Sequence, residues 1–525
     1  RSAQTDTATD RRMPYTLSNT GPASRNGSWA GIIRLYLRNL VLSLVMTCLI
    51  VPPLPATSSD LPDIGSPGDS VLSRDRELQI GRSIYRSLID TDRVMSDPEI
   101  QEYVQDIGQK LSAQAHDGDF QFNFFVVNDN AINAFALPGG YIGVHSGLIL
   151  ATNSESELAG VMAHEISHVT QRHISRAVYA NQRNSILSMA AMLGAILLGA
   201  AGGSSDAITG AIATAQGVTA QQQINFTRAN EYEADRVGVG VLAAAGVDPE
   251  GMPAFFETLA RQTGPLASQA PEFLRTHPVT VNRIAETRER AASLPRPEVQ
   301  DAAGYSLTKA RIRVLTSPTP EKALDFFLGE QQNPKSIGNL GTDYGVALAR
   351  MELGQYDIAR DQFRNLRTAH PGVIPFHTGQ ANAELALGNR SQAFAIFDQA
   401  MALFPRNVPL TVHYAEALLA NGDAKKAHHI LLDLLNNVPP TAKQVRLIAL
   451  AASAAGDTAE AHYYMAELHL IKGDATMAAD QLRLALSIPG LNSVQKARFN
   501  ARLEQIQEWV DKEQKARRQN NGNAQ

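Results

Sequence analysis

His164-Glu165-Ile166-Ser167-His168 places two imidazoles four residues apart with a carboxylate beside the first. On a helix that spacing turns through about 400°, so both rings share one face, one turn apart, and can reach a single metal ion. A second acidic cluster follows in Glu231-Tyr232-Glu233-Ala234-Asp235. If helical, it brings Glu231 and Asp235 to one face. Glu231 is then the expected third ligand, and Asp235 the group that accepts a hydrogen bond from a ligand imidazole. Glu233 points away by about 200° and is expected to be solvated or salt-bridged. Two imidazoles and one carboxylate suit one zinc ion per chain and leave a position open for water, whose pKa falls toward about 7. Glu165, next to a ligand but not one itself, is the expected general base, with Asp235 grouped beside it as catalytic support. Peptide hydrolysis is the natural chemistry, since a structural zinc would more often close its shell with a fourth protein ligand. His173 is a poorer candidate: on a continuous helix it lies about 180° from His164 and reads as an ordinary surface or core histidine. A third ligand from the same helix would need a glycine turn and a further histidine where Gln171 and Ile174 stand.

The elements that must hold these groups are legible as patterns. Asp97-Pro98 starts a helix whose apolar face is Ile100, Val104, Ile107 and Leu111. Alternation through Phe120, Phe122, Phe124 and Val126, then a strand-like stretch from Ile132 to Val144 broken at Pro138-Gly139-Gly140, predicts a small sheet. Ala134, Phe135, Ala136 and Leu137, just before the break, are expected to form an edge strand to which a substrate backbone adds, the alternative being an internal strand that Pro138 ends. The metal helix is expected from Ser154 to about Arg176, opened by a capping box between Ser154 and Glu157. The apolar run Ile186–Gly203 is long enough to raise a membrane span. A crossing there would need a return before Glu231, and Ala207 to Ala220 is too polar for one. A mobile flap over the cleft with peripheral lipid contact is the expectation.

With 44% hydrophobic and 19% charged residues, the 525-residue chain is ordinary globular protein of two or three domains, and a net charge of −5 offers no basis for nucleic-acid binding. Arg34 and Arg38 precede the apolar run Leu40 to Val51 and then Pro52, Pro53 and small residues, an export signal with cleavage near Ala56 and a start of translation nearer Met13. Cys48, the one cysteine, lies inside it, so the exported chain carries neither disulfide nor thiol chemistry. Past Pro295 and Pro297 the character changes to repeats. Gly354, Gly388, Gly422 and Gly456 recur every 34 residues, in register with Ala359, Ala393, Ala427 and Ala461, with Phe363, Phe397 and Leu431, and with Pro371, Pro405 and Pro439. That is the tetratricopeptide pattern of stacked helix pairs, four to five units with a degenerate one around Ala323 and Phe327 in front, and such an array builds a concave protein-binding surface. Gly473 and Ala478 repeat the motif after half a period, so the helix near Tyr464 is expected to serve two units. The expected layout is signal and preceding segment 1–56, peptidase 69–294, linker 295–304, repeats 305–510 and polar tail 511–525.

HEISHVTQRH at 164–173 and EYEAD at 231–235, with NAFALPGGYI at 133–142 before them and THPVTVNR at 276–283 after, resemble the metallopeptidase family of HtpX and the prenyl-protein (CAAX) protease. With an export signal and C-terminal repeats, the chain is similar to that family's periplasmic branch. The resemblance implies a mostly α chain: an α+β gluzincin-type metalloprotease domain with a small sheet, then an all-α repeat solenoid. It assigns zinc to His164, His168 and Glu231, catalysis to Glu165 and support to Asp235. It also brings His277 near the metal, as a cap on the open zinc position or an oxyanion donor, with Arg283 nearby. The implied function is degradation of misfolded or stalled outer-membrane proteins in the periplasm, with the repeats docking on the outer-membrane assembly complex; the alternative is a chaperone or adaptor whose protease is mostly latent. An integral membrane protease would need more apolar spans than the chain has.

Overall fold

The computed structural model describes residues 72–115, 121–180, 217–262, 271–297, 303–334, 338–437 and 440–522. The expected export signal with Cys48, the apolar run Ile186–Gly203 and Pro439 lie outside them.

Local chemistry sets the first elements. Asp97 Oδ1 accepts from the backbone N–H of Glu99 and of Ile100, both at 3.1 Å, and Pro98 follows at the first helical position, so the helix Pro98–Ser112 starts where the sequence predicts. Its apolar face, Ile100, Val104, Ile107 and Leu111, is buried. The sheet has three strands in the order β1-β3-β2. β1 (Asn123–Val127) runs parallel to β3 (Tyr141–His145), and β2 (Ala134–Leu137) pairs antiparallel with β3, Ala134 opposite Val144 and Leu137 opposite Tyr141. β2 is therefore at one edge, and Pro138-Gly139-Gly140 forms its turn into β3. Phe124, Phe125, Val126 and Val127 are all buried, so β1 is covered on both faces and does not alternate.

The helix Glu155–Thr170 runs through the middle of the domain, buried at every residue from Ser156 to Ser167. Its start is half the expected capping box: Ser154 Oγ accepts from Glu157 N at 3.2 Å, but the Glu157 carboxylate turns to Asn153, accepting from its backbone N–H at 2.8 Å. Its end departs from expectation. The helix stops at Thr170, Arg172 takes a left-handed φ of 53°, and a new helix runs His173–Ala180. The acidic cluster sits on the long helix Gly217–Ala244, which crosses the metal helix closely. A Cβ on Gly238 would lie 3.2 Å from the Ala163 backbone, and one on Gly160 would lie 2.8 Å from Met252 Cα in the helix Gly251–Gln262. Among the described residues no helix is long and apolar enough to cross a membrane.

From Ala303 onward the described elements are all helices. Paired helices follow one another: Ala303–Thr316 with Pro320–Gln331, Leu340–Glu352 with Tyr356–Ala369, Ile374–Ala386 with Arg390–Leu403, Val408–Ala420 with Ala424–Asn437, and Ala442–Ala454 with Thr458–Ile471. The periodic glycines sit between the two helices of a pair at φ of 73–90°, where a side chain would be strained. The periodic alanines and Phe363, Phe397 and Leu431 are buried between helices. Ala323 and Phe327 are buried in the pair that precedes the clear repeats. The helix Thr458–Ile471 packs against both Ala442–Ala454 and Ala475–Ser487, as expected from the half-period glycine at 473. The last helix, Ser493–Gly522, extends into the stretch read from sequence as a polar tail.

The repeats are not a separate bead. Tyr305 and Ile312, on the first repeat helix, belong to the core around the helix Glu155–Thr170, and the Tyr305 hydroxyl donates to Thr152 O at 2.8 Å. The described residues, from Leu72 onward, belong to one compact unit.

Candidate active site

Three elements bring the predicted ligands to one place. The metal helix supplies His164 and His168, the acidic helix supplies Glu231, and the short helix Glu272–Thr276 delivers His277 at its C-terminal end. One ligand atom from each of the four lies within 4.8 Å of all the others. His164 Nε2 is 3.0 Å from His168 Nε2, 3.4 Å from Glu231 Oε2 and 3.4 Å from His277 Nδ1. His168 Nε2 is 3.5 Å from Glu231 Oε1, and His277 Nδ1 is 3.1 Å from either Glu231 oxygen. A tetrahedral zinc with bonds of about 2.0–2.1 Å holds its donor atoms about 3.3–3.4 Å apart, so the donor set and its spacing fit such an ion. Three imidazoles and one carboxylate thus converge on one point.

Glu165 sits beside this point, 1% exposed. Among the described residues its Oε1 has no hydrogen-bond partner, and His277 Nε2 lies 3.6 Å from it. Asp235 is where the helical spacing put it. Its Oδ1 lies 3.0 Å from His164 Nδ1, and both its oxygens accept from Arg283, Nε to Oδ2 and Nη2 to Oδ1, at 2.7 Å each. Arg283, expected at a gate or oxyanion site, is 2% exposed, and its remaining nitrogen, Nη1, is 2.8 Å from Pro278 O and 3.0 Å from Glu231 Oε2. Every guanidinium nitrogen is thus committed to holding Asp235, Glu231 and the turn after His277, which leaves none aimed at a reacting carbonyl. Phe273 stacks on the His277 ring at 4.8 Å, and its backbone N–H donates to Ile132 O at 3.1 Å, tying this segment to the chain just ahead of β2.

Burial and charge act oppositely at the two helix histidines. Burial drives His168 well below the ordinary imidazole value, and the neighbouring His164 adds to this. Burial also opposes charge on His164, but the carboxylates of Asp235 and Glu231 outweigh it and hold this group up at about 9. Against the burial that would raise it, the imidazoles of His277 and His164 keep Glu231 well below the usual carboxylate range. The site is a largely buried cluster of mutually interacting titratable groups, of the kind that marks function.

Two residues set aside by the sequence reading also belong to it. His173 is not remote: the break at Arg172 folds it back so that its Nδ1 lies 2.8 Å from His168 Nδ1. It is buried, and burial followed by the charge of Arg176 pulls it down to about 4. Glu233 is salt-bridged, as expected, to Arg176 at 2.8 Å, but it also faces His173 Nε2 at 3.2 Å. The available signal was the alternation of acids at 231, 233 and 235 opposite three histidines at 164, 168 and 173; the continuous-helix assumption hid it.

Two packed helices that bring two histidines, a glutamate and an adjacent carboxylate to one point, followed by a helical repeat array, define a metallopeptidase joined to a protein-interaction domain. The model of peptidase family M48 matches residues 98–291, and a tetratricopeptide repeat model matches residues 384–452. The beta-barrel assembly-enhancing protease of Escherichia coli K12 is 39% identical over 340 residues, covering 64% of this chain and 69% of that protein. The protein of the same name from Yersinia pestis is 34% identical over 373 residues, 69% of this chain and 76% of its own length. The mitochondrial metalloendopeptidase OMA1 of Arabidopsis thaliana is 29% identical over 187 residues, 36% of this chain and 35% of that one. The chain belongs to peptidase family M48, in a form that carries C-terminal tetratricopeptide repeats.

Proposed function

We propose that the protein is a periplasmic zinc endopeptidase that degrades misfolded or stalled outer-membrane proteins, with the repeats docking on the outer-membrane assembly complex. The convergence of His164, His168 and Glu231 on one point, with the buried Glu165 carboxylate beside it, carries the catalytic half of this reading. Zinc is the ion that two imidazoles and a carboxylate favour, and when bound it acidifies water and polarises a carbonyl. Glu165 takes a proton from the attacking water and returns it to the leaving amine. Asp235 holds His164 in the tautomer whose Nε2 is free, and Arg283 holds Asp235 and Glu231 in place. β2 at the sheet edge offers Ala134, Phe135, Ala136 and Leu137 to an extended, loosely read backbone, which suits unfolded chains. The outer-membrane half rests on the name shared by the relatives, on the expected export signal and on the protein-binding nature of such repeats. A peripheral lipid contact through Ile186–Gly203 belongs to the same reading.

His277 is the latch of this site. Its Nδ1 lies among the ligand atoms and its Nε2 faces Glu165, so in this position it occupies the side from which a substrate carbonyl must approach. Because Phe273 N is bonded to Ile132 O, the same segment also lies against the start of the substrate edge. Moving it clears both. His277→Ala is expected to cleave casein faster than wild type; unchanged or slower cleavage removes the latch from the account. The closed latch also favours a second reading, a chaperone or adaptor whose protease is mostly silent. Glu165→Gln separates the two: if it rescues the envelope defects of a deletion strain as well as wild type does, proteolysis is not the main task.

A further inference from the structure

A ligand imidazole that binds through Nε2 must carry its proton on Nδ1, and whatever accepts that proton fixes the ring and its basicity. For His164 the group that faces Nδ1 is the Asp235 carboxylate, at 3.0 Å. For His168 no hydrogen bond of Nδ1 to a carboxylate or backbone carbonyl is found among the described residues; the group there is His173 Nδ1 at 2.8 Å. Two such nitrogens can share a hydrogen bond only if one of them is bare. With the proton on His168, His173 must be bare at Nδ1, and being neutral it must carry its own proton on Nε2. There the Glu233 carboxylate waits at 3.2 Å, and Arg176 Nη1 donates to the same oxygen at 2.8 Å. The proton assignments therefore run in one direction from His168 to Glu233, with no conflict along the way.

We propose that His173 is a positioning residue for the metal: it fixes the tautomer and orientation of His168 and relays to it the influence of the Glu233 carboxylate. The inference rests on the metal site proposed above and goes beyond it, because neither His173 nor Glu233 offers a ligand atom to the cluster. The three acids of the Glu231–Asp235 run then each have a task. Glu231 meets the ion, Asp235 supports His164 directly, and Glu233, on the other side of its helix, supports His168 through an imidazole spacer. The backbone is built for this contact. Arg172 adopts the left-handed φ of 53° that swings His173 toward His168, and its guanidinium is anchored by Leu72 O at 2.9 Å and Ser175 Oγ at 3.2 Å. A histidine that merely fills space beside an ion pair would affect folding when replaced, but not the affinity of the folded protein for metal.

The full chain, stripped of metal, is titrated with zinc against a chromophoric chelator, and its cobalt(II) absorption bands are recorded. His173→Ala is expected to lose about 10–100-fold in zinc affinity and to shift the cobalt bands. His173→Asn, whose side-chain oxygen falls near the place of Nδ1, is expected to recover most of the affinity, and Glu233→Gln to show a smaller loss than the alanine variant. A folded His173→Ala with wild-type affinity and spectrum overturns the inference, as does an asparagine variant no better than alanine. Should the alanine variant not fold, Glu233→Gln decides: reduced affinity supports the relay and unchanged affinity overturns it. Wild-type protein that takes up no zinc overturns the metal site itself, whereas variants indistinguishable from a zinc-binding wild type overturn this inference alone.

Discussion

Arg283 and Asp235 form a doubly hydrogen-bonded pair, 2% and 4% exposed, directly behind the ligands. Removing one member leaves the other charged in a dry place, which costs about 3–5 kcal/mol, whereas replacing both with apolar residues is far better tolerated. Asp235→Ala is therefore expected to lower the urea midpoint sharply, and Asp235→Leu combined with Arg283→Met to recover much of the loss; a double variant worse than the single would refute the buried-charge account. The double variant should still bind zinc weakly, since His164 keeps no acceptor. Glu165 is the opposite case, a buried carboxylate whose Oε1 accepts no hydrogen bond from the described residues. Glu165→Gln should leave folding and zinc content unchanged while peptide cleavage falls by about 10²–10⁴-fold, the range of a lost general base. A variant that loses zinc in step with activity would make Glu165 a structural residue.

The elements were readable wherever the signal was local. The spacing 164 to 168 and 231 to 235, the caps at Asp97 and Ser154, the turn at Pro138-Gly139-Gly140 and the 34-residue period each depend on residues close in sequence, and the helices, strands and hairpins follow them. The break after Thr170 was not readable, because a non-glycine residue takes the left-handed conformation there and is held by partners a hundred residues away, such as Leu72. Nor was the tight crossing of the metal helix, which depends on what Gly160 and Gly238 face rather than on what surrounds them in sequence. A Cβ on Gly160 would meet the Met252 backbone at 2.8–2.9 Å, so Gly160→Val must push two helices apart. It is expected to cost about 1–3 kcal/mol or more and to weaken zinc binding as His164 shifts. Gly240→Ala on the acidic helix, exposed and with nothing within 4 Å, is the control. It should be neutral or stabilising by up to about 1 kcal/mol. Equal midpoints for the two variants would mean that the crossing is not close-packed.

At the scale of the whole molecule the sequence suggested two domains and a linker, and the surprise is how much of their joint is charged. Asp97, Glu99 and Glu102, at and just after the start of the helix Pro98–Ser112, face the repeats. Arg311 pairs with Asp97 and Glu99 at 2.7 Å each, Tyr344 and Thr378 donate to Glu99 at 3.2 and 3.1 Å, and Asn407 donates to Glu102 at 3.0 Å. Glu102 is the weak member of this joint. Burial first, then the carboxylates of Asp106 and Glu99, raise it from 4.5 to about 7, against the hydrogen bonds from Asn407 and the Val408 backbone; among the described residues no cation is paired with it directly. Between those two values the folded protein keeps a proton that the unfolded chain releases, so stability is greatest below about pH 4.5 as far as this group is concerned and is lost as pH rises through about 7. Glutamine imitates the protonated form at every pH. Glu102→Gln should therefore match wild type in urea midpoint near pH 5 and exceed it near pH 8, by on the order of 1–2 kcal/mol after allowing for partial exposure. Because the group lies between the peptidase helix and the repeat helix Val408–Ala420, the same variant should slow proteolytic nicking at the joint at pH 8 but not at pH 5. Midpoint curves that stay parallel across this range would place Glu102 in water and not in the joint.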